Sequence, residues 1–422
     1  MTSKAILHQP EFPEAATAPL AQAKGHAFWL SRLSLSRFRN YAMAELGMDE
    51  RPVVLSGPNG AGKTNLLEAI SYLAPGRGLR RARLSEVERR AAGAKGSDSP
   101  GAAAWTVAAR VMTPEGLREL GTGRDPGGER NGNGATEPGR ERRLVRIDGF
   151  AARSQQELGE ILSIVWLTPQ MDGLFREGAS GRRRFLDRLV YGFDPAHAGR
   201  VLAYQQALRE RARLLKGGQA EDAWLSALEE TMASKGVAIA ASRRDLVARL
   251  DTACAKTSSP FPVAGLALAG EVEGWLAEGS ALAAEEELRR RLAEARHHDA
   301  HAGGAAVGPH RNDLEVTHRD RNLPAALCST GEQKALLLSI VLAHARLLGR
   351  DRGAAPLLLL DEVAAHLDEA RRAALFDAVL GLGGQTWLTG TEAGLFAPLG
   401  DAAQFVEVRA ATLSPVAPPV WN

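Results

Sequence analysis

The sequence contains few cysteines, few aromatic residues and no long apolar run. Its two cysteines, Cys254 and Cys328, are too few for a disulfide framework, so we expect a reducing compartment. An aromatic content of 5% argues against a platform that stacks the bases of a single strand. No stretch of about 18 apolar residues is available to span a membrane, and the N-terminus lacks a signal-peptide pattern. We therefore expect a soluble, cytoplasmic protein without a membrane partner.

A strong net charge is also absent. The formal net charge is +2, so the overall charge does not indicate a nucleic-acid partner, and such a function would depend on local basic clusters. Hydrophobic residues make up 45% and charged residues 24% of the 422 residues. These values are ordinary for a globular chain with two or three domains.

The most specific motif is a phosphate-binding loop at residues 57–64. This stretch fits the pattern G-x-x-x-x-G-K-[ST], with an apolar strand predicted at 53–55 and a helix at 65–70. Lys63 is expected to reach the β- and γ-phosphates of ATP, and the Thr64 hydroxyl to ligate Mg²⁺. A chance glycine-rich turn is the alternative, which both flanks disfavour. The predicted ATP-binding residues of the loop are Gly57, Pro58, Asn59, Gly60, Ala61, Gly62, Lys63 and Thr64.

A second motif supplies two carboxylates. The apolar run Leu357–Leu360 predicts a buried parallel strand, and Asp361 and Glu362 follow at its carboxyl end. Asp361 is expected to hold Mg²⁺, directly or through water, and Glu362 to activate the attacking water as a general base. Leu-rich strands that end in Asp-Glu are common, so this motif indicates a nucleotide site only in combination with the loop at 57–64.

A Ser-x-Gly turn opens an apolar helix at Ser329 and Gly331. Such a turn can cradle an anion, and a second cradle is useful if it caps the γ-phosphate of ATP held by a neighbouring subunit. The alternative is a simple helix cap, with Ser329 and Glu332 forming a capping box. Both interpretations can apply to the same residues.

The order of these motifs resembles an ABC-type ATPase head, and within that superfamily the RecF family of bacterial DNA recombination and repair proteins. The resemblance extends over nearly the whole chain, and the motifs are specific only in combination. The matching segments are LSRFRNY at 35–41, GPNGAGKTNLLEAI at 57–70, TPQMDGLF at 168–175, RRRFLDRL at 182–189, GPHRNDL at 308–314, STGEQKALL at 329–337 and LLLLDEVAAHLD at 357–368.

The resemblance implies an α/β fold: an ABC-type P-loop ATPase head, made of a mixed sheet with an antiparallel β lobe, with a short helical arm inserted. Two low-complexity stretches lie near 92–102 and 121–140, and strands of antiparallel hairpins are expected around them. The second stretch is expected to be a mobile surface loop. The expected parts are a flexible tail at 1–24, the N-terminal part of the head at 25–173, the helical arm at 174–300, the C-terminal part of the head at 301–410 and an irregular tail at 411–422.

The resemblance also implies roles for three further residues. Asp368, in a segment similar to a D-loop, would lie at a dimer interface, and Gln170 stands where a Q-loop glutamine would. Thr389 occupies the place of the switch histidine of transporters and is expected near the γ-phosphate. The Ser-x-Gly turn at Ser329 and Gly331 corresponds to the signature motif of ABC ATPases and is called the signature turn below. It departs from the usual Leu-Ser-Gly-Gly-Gln, because Thr330 replaces the first glycine and Glu332 replaces the glutamine. These departures suggest slow hydrolysis, as in a timer rather than a motor.

Three basic clusters are candidates for DNA contact, because arginine pairs well with phosphate oxygens. A solvated charged face is the alternative, since Glu86, Glu88 and Asp187 are close enough in sequence to pair with some of the arginines. The clusters are Arg37 and Arg39; Arg77, Arg80, Arg81 and Arg83; and Arg182, Arg183, Arg184 and Arg188.

Two histidine-containing segments have no assigned role. His310 and Arg311 lie in GPHRNDL, where the glycine, proline and asparagine favour a turn. His297, His298, Asp299 and His301 form a cluster in a predicted loop, without the spacing of a zinc site.

The resemblance implies a weak ATPase that binds DNA as an ATP-closed homodimer clamp. The DNA would be single-stranded, gapped or duplex, and the RecO and RecR mediators would be partners in recombinase loading, replication restart and the SOS response. The ATPase subunit of an ABC transporter is the main alternative. A structural chromosome protein of the SMC type would need a far longer coiled-coil arm, and a metabolic kinase would need an acceptor pocket that the sequence does not reveal.

Overall fold

The computed structural model describes residues 28–89, 104–125, 142–218, 221–256 and 260–419. The predicted tail at 1–24, the low-complexity stretch at 92–102 and most of the one at 121–140 lie outside these residues. The first part of the chain forms mainly strands. Its strands and helices, in chain order, are β1 Trp29–Phe38, β2 Tyr41–Gly47, β3 Val53–Ser56, α1 Lys63–Ser71, α2 Leu84–Val87, β4 Thr106–Thr113, β5 Gly116–Arg124, β6 Arg143–Ile147, β7 Phe150–Ala151, α3 Glu157–Ile161 and β8 Ile164–Leu167.

The remainder is mostly helical before it returns to alternating strands and helices. Its elements are α4 Ala179–Phe193, α5 His197–Gly217, α6 Asp222–Ala255, β9 Ala264–Ala269, α7 Glu271–Glu278, α8 Ala281–Glu294, α9 Arg296–Ala302, β10 Asp313–His318, β11 Leu323–Pro324, α10 Thr330–Arg352, β12 Leu357–Leu360, α11 Glu369–Leu382, β13 Thr386–Gly390, β14 Gln404–Arg409 and β15 Thr412–Val416. None of the described helices is both long and apolar enough to cross a membrane.

The central sheet has the order β15-β14-β3-β13-β12-β8, and all its neighbouring strands pair in parallel except β15 with β14. Alternate residues of one strand face opposite cores: Val53 and Leu55 pack with α1, whereas Val54 packs with α10 and α11. This burial of both faces explains the continuous apolar runs in the sequence. Because the parallel strands end at one edge, the residues after β3, β12 and β13 meet there.

The second six-stranded sheet is antiparallel, in the order β2-β1-β4-β5-β6-β7, which agrees with the predicted hairpins. The loop predicted at 121–140 starts too early, because residues 121–124 belong to β5 and pair with β6. Gly123 explains the error: a Cβ there would lie 2.7 Å from the Trp105 carbonyl oxygen. This glycine allows close approach of two backbones, where the sequence suggested a turn.

The insertion at 174–300, where we expected a helical arm, is mostly helical but also contains a strand. Its own core joins α5, the first half of α6, α7 and α8, but α4 and the second half of α6 pack into the core of the head. Strand β9 pairs with β10, so the three-stranded sheet β11-β10-β9 combines residues from both predicted parts. The predicted helical arm therefore contains a strand, β9, that we did not expect.

Two further local predictions were wrong. The cluster of His297, His298, Asp299 and His301 lies in helix α9, because the Asp299 carboxylate is buried against Arg211, at 2.8 Å. Residues Thr412–Val416, expected in an irregular tail, form β15 on the edge of the central sheet. In both cases a long-range partner orders a stretch whose local sequence is ambiguous.

The segment 308–314 lies between the insertion and the head. His310 Nδ1 hydrogen-bonds with Tyr204 Oη on α5 at 2.7 Å, and its Nε2 with the Ala305 carbonyl at 3.0 Å. Arg243 on α6 donates to the Pro309 carbonyl at 2.6 Å and to Asn312 Oδ1 at 3.1 Å. The segment therefore joins α5 and α6 to the start of β10.

Candidate nucleotide-binding site

The loop at 57–62 is held by contacts that its glycines make possible. A Cβ at Gly57 would lie 2.2 Å from the Val408 carbonyl oxygen, and Gly57 and Gly62 have φ values of 150° and 121°. Asn40 Nδ2 donates to the Ala61 carbonyl at 3.1 Å, and Tyr41 Oη to the Gly62 carbonyl at 3.1 Å. The carbonyls of Ala61 and Gly62 thus accept hydrogen bonds from the protein itself. The N–H groups of the loop are the groups that would donate to a bound anion.

Lys63, the first residue of α1, is buried beneath this loop. Its ammonium donates to the Gly57 carbonyl at 2.6 Å and to the Pro58 carbonyl at 3.1 Å. Burial lowers the pKa of Lys63, while the nearby Glu362 and Asp361 carboxylates act in the opposite direction. A phosphate anion would add the negative charge that favours the ammonium form.

The hydroxyls of Thr64 and Thr389 meet on one carboxylate oxygen. Thr64 Oγ1 donates to Asp361 Oδ1 at 3.1 Å, and Thr389 Oγ1 donates to the same oxygen at 2.7 Å. Strand β13 lies between β3 and β12, so Thr389 reaches the Asp361 carboxylate from the strand next to β12. Burial raises the pKa of Asp361, and the two hydroxyls lower it by stabilising the carboxylate.

The donor set fits a magnesium ion. Mg²⁺ prefers oxygen ligands and commonly takes one or two from the protein, completing its shell with water and phosphate oxygens. Thr64 Oγ1 and Asp361 supply such oxygens next to each other at the start of α1. A cation there would also offset the burial of the Asp361 charge.

Glu362 has an unusual backbone. Its φ of 53° is in the left-handed region, which costs a residue other than glycine about 1–3 kcal/mol and requires support from its surroundings. Its N–H donates to Thr389 Oγ1 at 2.9 Å, and Lys334 Nζ lies 3.4 Å from its carbonyl oxygen. The carboxylate is partly exposed at the edge where the strands end.

The predicted signature turn forms the start of α10. Ser329 and Glu332 make the capping box that we considered: Ser329 Oγ accepts from the Glu332 N–H at 3.4 Å, and Glu332 Oε2 accepts from the Ser329 N–H at 2.9 Å. Ser329 and Gly331 are exposed, and within the described ranges no hydrogen bond joins either of them to the loop at 57–64. The helix-cap role is therefore present, and capping of a partner's nucleotide stays a proposal.

The two remaining residues implied by the resemblance lie on exposed turns. Gln170 is in a 3-10 turn directly after β8, at the edge where the parallel strands end. Asp368 caps α11, since its side chain accepts from the Arg371 N–H at 2.8 Å.

Several of the arginines predicted to contact DNA have partners within the chain. Arg39 and Arg80 both pair with the buried Glu68 at 2.7 Å, and Arg182 pairs with Asp313 at 2.6 Å. Arg183 donates to the Asn312 carbonyl at 2.5 Å. For these four residues the structure supplies a stabilising role that sequence alone did not reveal.

Five of the other candidate arginines lie on the surface, where a DNA phosphate can reach them. Arg37, Arg77, Arg81, Arg83 and Arg184 are exposed, and none of them forms a salt bridge within the part of the chain that the structure describes. Burial and then the nearby charge of Arg184 lower the pKa of Arg81, with Arg77 contributing in the same direction.

Arg188 differs from its neighbours. Its guanidinium lies over the Trp166 ring, with 4.6 Å to the ring centroid, and it donates to the Trp166 carbonyl at 3.3 Å. Burial lowers its pKa to about 9, so this arginine is part of the packing beneath the surface.

Sequence reasoning missed the residues that support the site. Asn40 and Tyr41 are in the matching segment at 35–41, but their contact with the loop carbonyls depends on the antiparallel sheet. Lys334 is 5% exposed and its Nζ lies 3.8 Å from Asp172 Oδ2. In the sequence, the only indication of a role for Lys334 was its position directly after the signature turn.

Known proteins share this fold and this order of motifs. The family model described as RecF/RecN/SMC N terminal domain matches residues 29–386. Two solved structures, titled as the recombination mediator protein RecF with ATPrS and with ATP, have TM-scores of 0.76 and 0.75 at 22% and 23% identity. They cover 93% and 92% of this chain, and 99% of each of those chains is matched. The fold and the site define an ABC-type ATPase head of the RecF/RecN/SMC class.

Closer relatives identify the family. The DNA replication and repair protein RecF of Rhizobium etli is 49% identical over 385 residues, which cover 91% of this chain and 98% of the relative. The protein of the same name from Mesorhizobium japonicum is 48% identical, covering 92% of this chain and 97% of its own length. The chain belongs to the RecF family, which confirms the resemblance drawn from the motifs.

Proposed function

We propose that this protein is an ATP-switched DNA-binding protein of recombinational repair. The observation that carries the proposal is the hydrogen-bonded chain from Thr64 through Asp361 and Thr389 to the Glu362 N–H. Together with Lys63 it unites a phosphate site, a magnesium site and a candidate general base at one edge of the sheet. Glu362 activates the attacking water, and hydrolysis is slow because no switch histidine assists it.

ATP closes a homodimer in this scheme. The exposed Ser329 and Gly331 of one copy cap the γ-phosphate held at 57–64 of the other, with Asp368 at the interface and Gln170 near the nucleotide. Support comes from the exposed position of the turn at the N-terminus of a 23-residue helix, where N–H groups and the helix dipole favour an anion. Hydrolysis then separates the two copies.

Closure brings basic surfaces of the two copies together around DNA. The exposed Arg37, Arg77, Arg81 and Arg184 are the favoured contacts, whereas Arg39, Arg80, Arg182 and Arg183 help to shape this surface through their partners within the chain. Contact to backbone phosphates suits single-stranded, gapped or duplex DNA without reading its sequence.

The cellular role follows from the family. Curated relatives are named DNA replication and repair proteins, and the similar solved structures are titled as a recombination mediator in the RecFOR pathway. We propose that this protein acts in the cytoplasm with the RecO and RecR mediators in recombinase loading, replication restart and the SOS response.

Two substitutions test the ATP switch. Lys63→Met removes the ammonium that meets the phosphates and should abolish ATP binding, measured by calorimetry. Glu362→Gln keeps binding but should accumulate an ATP-bound dimer, measured by light scattering in ATP and in ADP. Glu369→Gln, an exposed change at the start of α11, serves as the control and should behave as wild type. A Glu362→Gln protein that stays monomeric in ATP would contradict the dimer.

Fluorescence anisotropy of a labelled gapped duplex tests the DNA role, with ATP, with ADP and without nucleotide. Tight binding is expected only with ATP. Arg81→Ala and Arg184→Ala should each weaken binding and reduce the salt slope by roughly 1, because each removes about one phosphate contact. Arg350→Ala, an exposed change at the far end of α10, should leave both unchanged. Binding that ignores the nucleotide would favour another ABC-type function.

A further inference from the structure

Two side chains from different elements hold the backbone of Glu362. Thr389 on β13 accepts from its N–H at 2.9 Å, and Lys334 on α10 lies with Nζ 3.4 Å from its carbonyl oxygen. The φ of 53° at Glu362 places it in a conformation that a residue with a Cβ adopts only when its neighbours hold it. The direction of the Glu362 carboxylate therefore depends on both contacts.

Lys334 itself is placed by charge. It is 5% exposed, and its ammonium lies 3.8 Å from Asp172 Oδ2, in the segment that follows Gln170. The other carboxylate oxygen of Asp172 is buried and has no hydrogen-bond partner among the described residues. A buried ammonium takes its position from such partners, because an unpaired charge in the interior is costly.

The start of α10 connects Lys334 rigidly to the signature turn. Gln333 Nε2 donates to the Cys328 carbonyl at 2.9 Å and to the Ala326 carbonyl at 3.3 Å, and the capping box fixes Ser329. Lys334 follows Ser329 by five residues on one helix, a rise of about 7.5 Å. A displacement of the turn therefore moves the Lys334 side chain as well.

We infer that Lys334 is a positioning residue that transmits occupancy of the signature turn to Glu362. The inference rests on the proposed function, in which ATP held by a second copy contacts Ser329 and Gly331. Docking of that phosphate shifts the start of α10, and Lys334 carries the shift to the Glu362 carbonyl. The general base of one copy thus becomes aligned only when the same copy also caps its partner's nucleotide.

Amide hydrogen exchange and single-turnover hydrolysis test this role together. In Lys334→Met the peptide that contains Glu362 should exchange roughly tenfold faster without nucleotide, because one of its two holding contacts is lost. The ATP dissociation constant should stay within about twofold of wild type, while the hydrolysis rate falls about 100-fold through misplacement of the base. Lys334→Arg, which keeps the charge, should recover most of both properties.

Lys216→Met makes the same chemical change at an exposed site on α5 and should alter none of these readouts. Unchanged exchange at Glu362, or equal losses of ATP affinity and rate, would overturn the inference. If the Met variant does not fold, Lys334→Ala, which also removes the donor, is judged by the same criteria. Amide exchange does not depend on catalysis. If the wild type hydrolysed no ATP, the proposed function would be rejected, but the exchange data would still show whether Lys334 holds the backbone of Glu362.

Discussion

At the scale of the residue, the single hydroxyl of Thr389 makes two hydrogen bonds in the candidate site, one to Asp361 and one to Glu362. Its hydroxyl donates to Asp361 and accepts from the Glu362 N–H, so one oxygen orients both carboxylate-bearing residues. A hydrogen bond to the charged form of a carboxylate lowers its pKa, which opposes the rise that burial imposes on Asp361. The hydrogen bond from Thr389 therefore favours the ionised form of Asp361, which is the form that could ligate a cation.

Thr389→Val should move the acid limb of the ATPase pH profile to higher pH. The substitution removes a donor that stabilises the Asp361 carboxylate, so the pKa of Asp361 rises and magnesium binding is lost at a higher pH as acid is added. Initial rates at several pH values, with magnesium titrations, measure the shift.

Thr386→Val is the matched control on the same strand. The Thr386 hydroxyl is buried without a hydrogen-bond partner in the described part of the chain, so its loss should leave the pH profile unchanged. Equal profiles for Thr389→Val and wild type would show that the hydroxyl does not support Asp361.

Single residues were predictable where the chemistry is contiguous in the chain. The loop at 57–64, Asp361 and Glu362 follow from spacing, because strand, turn and helix are neighbours in sequence. The partners of the arginines were not predictable: Arg182 pairs with Asp313, which is 131 residues away. Whether an arginine is free for phosphate or committed to a carboxylate depends on such tertiary contacts, which local sequence does not encode.

At the scale of the element, segment 308–314 joins the insertion to the head through buried charge. Arg243 on α6 makes two hydrogen bonds to the Asp187 carboxylate on α4, both at 2.8 Å, and also holds Pro309 and Asn312. Asn312 in turn donates to Glu273 on α7 at 2.5 Å. The GPHRNDL motif, to which the sequence assigned no role, is a junction of α4, α5, α6, α7 and β10.

Arg243→Met should lower the free energy of unfolding by about 3–5 kcal/mol, because it leaves the buried Asp187 without its guanidinium partner. Its neighbour Arg244 is exposed, and Arg244→Met should cost less than about 0.5 kcal/mol. Urea unfolding followed by circular dichroism measures both. Equal midpoints for the two variants would mean that the junction adds no stability.

Elements with strong periodicity were predicted well, and those that tertiary pairing imposes were missed. Strand β9 has the sequence Ala-Gly-Leu-Ala-Leu-Ala, which lacks the β-branched and aromatic residues that favour strands. It becomes a strand because β10 lies beside it. Helix α9 likewise depends on Asp299, whose burial against Arg211 could not be inferred from a histidine-rich stretch.

At the scale of the whole molecule, the proposed dimer has a testable symmetry. In a two-fold arrangement each nucleotide would be held by the loop of one copy and the signature turn of the other. Gly331 is a suitable position to block the turn, since a Cβ there meets nothing within 4 Å and the Ser329 cap is left intact. Lys63→Met blocks the other half of the site.

Mixing Gly331→Arg with Lys63→Met should restore ATP-dependent dimers but not hydrolysis. A mixed dimer has one complete site, formed by the loop of the first variant and the turn of the second, but the copy that holds ATP caps no partner nucleotide, so its Glu362 stays unaligned. Light scattering in ATP and steady-state hydrolysis measure this, with each variant alone at the same total concentration as the control. No dimers on mixing would mean that each copy completes its own site, and hydrolysis by the mixture would contradict transmission through Lys334.

The placement of β3 has a consequence for biosynthesis. Its neighbours β13 and β14 follow it by more than 300 residues, so this strand has no partner in its sheet until the ribosome has made residues 386–409. At translation rates of about 5–20 residues per second, the nascent chain waits tens of seconds with an apolar strand unpaired. A product truncated before β13 would lack both neighbours of β3, so the phosphate loop that follows this strand would have no sheet to hold it.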